Sequence, residues 1–234
     1  MKTVILAGGF GTRLRSEVAD RPKPMGLIAG KPFLQYQLEY LYSFGLTEFI
    51  LCVGYKADQI MDFFGDGSSF GIQIDYAREE KPLGTAGALK NAGLNEPFLA
   101  LNGDSFLRVD ITQVLTFYQK VHAPVIVCRY VTDASRYGAV QFDAHQRIIA
   151  FQEKAKAHGA GWINAGIYVL NPDLMMTIPP HQKVSIEQET FPAYLERGMY
   201  AFPSEDYFID IGTPQSYQQA QRDVDYLSPW RKIP

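Results

Sequence analysis

The stretch LAGGFGTRLRSEVADRPKP, Leu6–Pro24, follows the first apolar run of the chain and carries three glycines in four residues. Arg13 comes two residues after the last of them, and Lys23 stands between Pro22 and Pro24. Ahead of the loop, KTVILA reads as a short buried strand. Behind it, FLQYQLEYLYSFG repeats apolar residues at three- and four-residue steps and stops at Gly45, the pattern of a helix. In open α/β sheets, ligands bind at the carboxyl ends of strands, where the strand order reverses. Glycine lets a backbone approach a ligand closely and turn several N–H groups onto one anion. Arg13 adds a fork of donors suited to phosphate oxygens. Pro22 and Pro24 stiffen the backbone under the flexible stem of Lys23. The loop therefore reads as a polyphosphate cradle. It is neither of the two commonest ones. Counted from Gly9, the third position of a dinucleotide fingerprint is Leu14, and no lysine follows a glycine at the Walker spacing.

Working outward, strands and helices alternate through the first half. EFILCVG, GIQIDYA, FLALNGD and APVIVCRYV read as strands. ADQIMDFFGDG reads as a short helix, TAGALKNAG as a helix capped by Thr85, and DITQVLTFYQKV as a helix capped by Asp110. This rhythm predicts a Rossmann-like, mostly parallel sheet with helices on both faces. After about residue 135 it changes. YGAVQFD, RIIAFQEK and GWINAGIYVL are strands without long helices between them, which suggests a smaller β-rich extension. SIEQETFPAYLERG shows a capping box, Ser185 with Gln188, and a stop at Gly198. MYAFPSEDYFIDIG reads as a last hairpin or strand pair. TPQSYQQAQRDVDYL closes the chain as a helix with Thr213 as cap and Pro214 at its first position. The reading is one domain, residues 1–234, with one half to about 135 and a second half from about 136.

Composition narrows the function. The 234 residues are 47% hydrophobic and 20% charged, with a net charge of −3. That balance fits a soluble globular chain and gives no basic field for nucleic acid. No apolar run approaches the roughly 18 residues a membrane span needs, and the N-terminus lacks the long apolar core of a signal peptide. Cys52 and Cys128 sit in apolar, β-branched runs and read as buried reduced thiols, which points to the cytoplasm. The histidines His122, His145, His158 and His181 lie far apart, without metal-ligand spacing.

With these residues in view, LAGGFGTRL, RPKPM and GKPFLQYQLEYL resemble the signature of the sugar-phosphate nucleotidylyltransferases. The resemblance runs through PLGTAGAL, LNGDS, YGAV, FQEK, NAGIYVL and DIGTP, across the whole chain. Within that family, DRPKPMGLIAGKPFL and YFIDIGTPQSY look most like enzymes that use GTP and D-glycero-α-D-manno-heptose 1-phosphate. Guanylyl transfer to mannose 1-phosphate, and uridylyl transfer from UTP to a muramate or hexose 1-phosphate, are the alternatives. A non-catalytic nucleotide-sugar sensor would be marked by loss of Arg13, Lys23 or a metal carboxylate, and all are present.

The implied reaction needs no general base. A phosphate monoester, already ionised near neutrality, attacks the α-phosphorus of a nucleoside triphosphate, and pyrophosphate leaves. Catalysis is then positioning plus charge neutralisation. Arg13 and Lys23 are the expected catalytic cations. Asp104, at the tip of FLALNGD, and Asp210, in FIDIG, could supply the carboxylates that Mg²⁺ commonly takes beside substrate phosphates, and the resemblance implies the same pair. It also assigns Leu6, Ala7, Gly8, Gly9, Gly11, Thr12, Gly84 and Thr85 to the nucleotide. The backbone N–H groups at the Gly84–Thr85 helix start are expected to be free to read a base edge. Glu80 is the candidate acceptor for the adjacent N1–H and 2-amino donors of guanine, a hint of GTP. On the sugar side, Gly138, Glu153, Lys154 and Asn164 are expected to hold the sugar phosphate, although Ala155 replaces the proline that relatives often carry after the Glu-Lys pair. No nucleic acid or membrane partner is expected. The aromatic last third, with Trp230, would allow a homodimer.

Overall fold

The computed structural model describes every residue except 12, 13, 15, 16, 19, 153–158 and 230–234. In chain order its strands are Thr3–Leu6 (β1), Leu27–Ile28 (β2), Lys31–Pro32 (β3), Glu48–Val53 (β4), Gln73–Arg78 (β5), Phe98–Asn102 (β6), Ser105–Leu107 (β7), Val125–Val131 (β8), Ala139–Phe142 (β9), Ile148–Gln152 (β10), Gly161–Leu170 (β11), Tyr200–Ser204 (β12) and Phe208–Asp210 (β13). Its α-helices are Phe33–Tyr42 (α1), Ala57–Phe64 (α2), Gly84–Asn91 (α3), Ile111–Val121 (α4), Pro172–Met176 (α5), Phe191–Tyr194 (α6) and Pro214–Arg222 (α7).

Seven strands form the main sheet, in the order β12-β8-β11-β6-β1-β4-β5. The β1–β4, β1–β6, β4–β5 and β8–β12 pairs are parallel, and β11 runs antiparallel to both β6 and β8. Both faces are covered, as the unbroken apolar strands require. Along β4, Phe49, Leu51 and Val53 face a core that includes α1, α2 and α4, while Ile50 and Cys52 face the other, with α3, α5 and α6. The period of two in a strand puts neighbouring residues on opposite faces. Cys52 and Cys128 are buried free thiols, and burial pushes both well above the usual thiol range. The β-rich extension is the β9–β10 hairpin, packed beside β11.

The strand order reverses around β1: the chain moves from β1 to β4 and β5, then returns to place β6 on the other side. The parallel strands β1, β4, β5 and β6 therefore end on one edge, at Leu6, Val53, Arg78 and Asn102. The glycine loop leaves from the middle of that edge.

Three local expectations need correction. Helix α3 begins at Gly84, with Leu83 in the capping position and no side-chain cap. Thr85 lies inside the first turn, and its hydroxyl instead donates to Glu187 at 2.8 Å and accepts from Ile186 N at 2.8 Å. The segment after Ser185 opens as a π-turn, Ile186–Thr190, before α6. Ser185 Oγ accepts from Gln188 N at 3.1 Å, yet the carboxylate that reaches back to Ser185 N belongs to Glu189, at 2.8 Å. The wider turn moves the reciprocal partner one residue along. Finally, β12 and β13 are not a hairpin. Ser204 Oγ holds both Asp206 N and Asp206 Oδ2, turning the chain away. β12 becomes a sheet edge, where Pro203 is tolerated, and β13 pairs with β7.

Candidate active site

The segments that follow β1, β5 and β6 at the carboxyl edge build one cleft. Ala7 N donates to Cys52 O at 2.8 Å, extending the β1–β4 pairing by one residue. The chain then passes so close to its neighbours that a Cβ on Gly8 would stand 2.5 Å from Glu79 Oε1 and 3.2 Å from Gly54 N. A side chain there would displace the Glu79 carboxylate, which is one physical reason for the glycine. Gly11 is the other: its φ is +57°, and a Cβ would meet Lys23 Cβ at 2.9 Å. The bare loop is thus packed against the stem of the lysine that the prolines hold. After β6, Gly103 N donates to Leu6 O at 2.9 Å, tying the Asp104 turn to the end of β1. Gln37 of α1 supports the same turn from below, donating to Asn102 O and Ser105 O at 2.8 and 2.7 Å.

Lys23 is the electrostatic centre. Its side chain is only 8% exposed. Pro22 accepts from Met25 N at 2.8 Å, closing a 3₁₀ turn over Lys23–Met25 that aims the side chain inward. The ammonium lies 2.6 Å from Asp104 Oδ2 and 3.5 Å from Asp210 Oδ1. The β7–β13 ladder pairs Ser105 with Asp210, and Ile211 N donates to Asp104 O at 3.0 Å, so these two carboxylates, far apart in sequence, share one cation. Gly212 N also donates to Asp210 Oδ1, at 2.6 Å. The donor set is two carboxylates and no thiolate or imidazole. Among the described residues no group of three His, Cys, Asp or Glu could hold a metal alone. Two hard oxygen ligands at a cleft fit a divalent cation that completes its shell from substrate phosphates and water.

The cleft encloses about 510 Å³, within the range of small-molecule sites. Of the sequence candidates, Leu6, Gly8, Gly9, Gly11, Lys23, Gly84, Thr85 and Asp104 line it. Asp210 adjoins it through Lys23 and Gly212, while Ala7 is buried beneath. Thr12, Arg13, Glu153 and Lys154 lie outside the described residues. Glu80 is not on the wall; its neighbour Glu79 is. Glu79 Oε2 accepts from Leu83 N at 2.8 Å, and Oε1 stands over Gly8. Burial pushes its carboxyl above the usual range, against the opposing effect of the Leu83 N–H.

The first turn of α3 packs against a distant segment of the chain. Val184 O accepts from Ala86 N at 3.0 Å and Gly87 N at 3.4 Å, and Val184 N donates to Leu83 O at 2.9 Å. Segment 182–187 thus takes the N–H groups of Ala86 and Gly87, one and two residues past Thr85, and brings Lys183 and Glu187 to the cleft wall. No sequence signal pointed to those two, because their placement depends on contacts about a hundred residues apart. Asn102 was also missed. It lines the cleft, and its Oδ1 is buried without a partner among the described residues. Gly138 and Asn164 stand elsewhere. Gly138 closes the 133–138 turn with φ +81°. Asn164 Nδ2 donates to Tyr168 Oη at 2.9 Å and its Oδ1 accepts from Gly166 N at 2.8 Å, across an irregularity in β11.

Comparison with known proteins agrees with this geometry. The Nucleotidyl transferase family profile matches residues 2–226. The D-glycero-alpha-D-manno-heptose 1-phosphate guanylyltransferase of Aneurinibacillus thermoaerophilus is 38% identical over 231 residues, covering 97% of this chain and 99% of that one. The mannose-1-phosphate guanylyltransferase of Mycobacterium tuberculosis is 37% identical over 228 residues, covering 94% of this chain and 64% of that one. The crystal structure of HddC from Yersinia pseudotuberculosis complexed with GMP-PN superposes with a TM-score of 0.83 at 37% identity, covering 95% of this chain and 99% of that one. A match along nearly the whole chain, with the glycine loop and Lys23 lining one cleft, settles the assignment: this chain belongs to the nucleotidyl transferase family.

Proposed function

We propose that the protein transfers a guanylyl group from GTP to D-glycero-α-D-manno-heptose 1-phosphate, giving the GDP-sugar and pyrophosphate. The observation that carries this reading is the Lys23–Asp104–Asp210 cluster beside a glycine-walled, nucleotide-sized cleft. In the forward step an oxygen of the sugar phosphate forms a bond to the α-phosphorus. The bond from that phosphorus to the bridging oxygen breaks, and pyrophosphate leaves with the electron pair. The attacking oxygen is already ionised, so no side chain need remove a proton. The glycine loop offers backbone N–H groups to the phosphates. Lys23 and Arg13 neutralise charge where the two anions meet. Asp104 and Asp210 are the residues that would hold Mg²⁺, which when bound supplies further neutralisation and orients the phosphates.

Glu79 supports guanine as the base. Glu79 lines the cleft with its Oε1 beside Gly8, and a carboxylate suits the two adjacent donors of guanine, where uracil offers one. The two guanylyltransferase relatives support the same choice, and the heptose relative, matched over its full length, favours heptose over mannose. The sugar phosphate would enter from the side of the β9–β10 hairpin, where Gly138, Glu153, Lys154 and Asn164 are the candidates. A cytoplasmic enzyme fits the buried reduced cysteines, and no helix among the described residues is long and apolar enough to cross a membrane.

The test is pyrophosphate release with Mg²⁺, pairing GTP, UTP, CTP, ATP and dTTP each with the heptose 1-phosphate and mannose 1-phosphate. Turnover with GTP and the heptose is the expected result. Turnover confined to another pair moves the substrate, and no turnover with any pair overturns the reading.

A further inference from the structure

Asp210 is approached from two directions. Lys23 and Gly212 reach it from the nucleotide cleft, whose wall they form. Arg136 reaches it from outside that cleft, with Nη2 4.0 Å from Asp210 Oδ2. At that distance the pair is held by charge, not by a hydrogen bond. Arg136 forms no hydrogen bond among the described residues, and 47% of its side chain is exposed. Its donors are therefore unspent although its position is fixed.

The fixing comes from the loop. Ala134 O accepts from both Tyr137 N and Gly138 N at 3.0 Å, and Asp133 Oδ1 accepts from Ser135 N at 2.9 Å, which closes 133–138 into a compact turn. The Tyr137 ring meets Phe208 edge-on at 5.8 Å, and Phe208 lies on β13, the strand that carries Asp210. The Arg136 guanidinium also lies 5.3 Å from the Tyr137 ring centre. The turn is thus pinned to the strand of the carboxylate, and it presents a planar fork of donors toward solvent. A guanidinium with free paired donors matches the oxygens of a phosphate.

We propose that Arg136 binds the phosphate of the incoming sugar 1-phosphate, beside Asp210 and outside the nucleotide cleft. The inference rests on the nucleotidyl transfer proposed above and assigns a residue to its second substrate. Lys23 serves the triphosphate side of Asp210, and Arg136 serves the other. Two anions then meet across one carboxylate pair, each with its own cation.

The experiment compares wild type with Arg136→Ala and Arg136→Lys. A GTP analogue with methylene between its α- and β-phosphorus is titrated with Mg²⁺ by calorimetry. The heptose 1-phosphate and mannose 1-phosphate are then titrated into the analogue complex, and KM values for both substrates are measured with GTP. Arg136→Ala should leave analogue affinity within about twofold and weaken the sugar phosphate on the order of 10- to 100-fold, the loss of a charged hydrogen-bonding group. Arg136→Lys, which keeps the charge and loses the fork, should fall between. Unchanged sugar-phosphate affinity in Arg136→Ala overturns the proposal. So does an equal loss for analogue and sugar phosphate, which would make Arg136 a support for Asp210. An active wild type whose sugar KM ignores Arg136 sinks this inference alone; a wild type that releases no pyrophosphate sinks the functional reading and the inference with it.

Discussion

Replacing Glu79 with glutamine should narrow the preference for GTP. Glu79 lines the cleft, with Oε2 accepting from Leu83 N at 2.8 Å and Oε1 beside Gly8. Both oxygens are acceptors, so Leu83 and the guanine edge can be satisfied together. A glutamine has one oxygen. If it keeps Leu83, its amide N–H groups point at the N1–H and 2-amino group, donor against donor. If it turns to the base, the Leu83 N–H is orphaned. Either way at least one charge-assisted hydrogen bond is lost, at about 1.5–3 kcal/mol. That predicts a fall in kcat/KM for GTP on the order of 10- to 100-fold. UTP, with a single donor flanked by acceptors, should lose less. The pH dependence adds a second signature. Because burial raises the Glu79 pKa above 4.5, its protonated form persists to higher pH than usual. Guanine affinity should therefore decline as pH falls from neutrality through that raised pKa, and the variant should be flat there. Stability carries the opposite sign. A raised folded-state pKa gives stability that is present below 4.5 and lost as pH rises through the folded value, so Glu79→Gln should be no less stable than wild type at neutral pH. The assay is kcat/KM for GTP and UTP at several pH values, with thermal unfolding alongside. An unchanged GTP-to-UTP ratio would refute the reasoning.

Three further outcomes are expected. Lys23→Ala should cut kcat on the order of 10²- to 10³-fold, and with Asp104 and Asp210 left facing each other Mg²⁺ should raise its melting temperature more than that of wild type; equal Mg²⁺ shifts would count against a shared carboxylate site. Asp104→Asn should abolish activity or shift the Mg²⁺ titration, whereas an unchanged titration would remove Asp104, which is 42% exposed, from the ligand set. Asp110→Ala removes the acceptor of Thr112 N and Gln113 N at the start of α4. It should cost about 1 kcal/mol, roughly 2–4 °C in melting temperature at this chain length, and leave kcat alone; a loss of activity would show that α4 reaches the site.

Much of the architecture was legible because it is written in local signals. The apolar runs at Thr3–Leu6 and Glu48–Val53, the Asp110 and Thr213 caps, and the Gly45 stop each specify an element without help from the rest of the chain. The glycine loop was legible because its backbone needs glycine: Gly11 has φ +57° and would press a Cβ onto Lys23, and a Cβ on Gly8 would displace Glu79. Long-range placement was harder. Glu79 and Glu80 are adjacent, and only the direction of β5 and the Leu83 N–H decide which one turns inward. Lys183 and Glu187 enter the cleft because Val184 pairs with the start of α3, a contact with no local signature. The fate of β13 was set by β7 rather than by its neighbour β12, and the same pairing puts Asp210 beside Asp104.

The central claim is that the α-phosphorus, and not the γ-phosphorus, is the point of attack. It is tested most directly by running the reaction with the heptose 1-phosphate and Mg²⁺, once with GTP labelled at the α-phosphate and once with GTP labelled at the γ-phosphate. The α label should appear in a nucleotide sugar and the γ label in pyrophosphate. A γ label in the sugar product, or released as inorganic phosphate, would contradict the account.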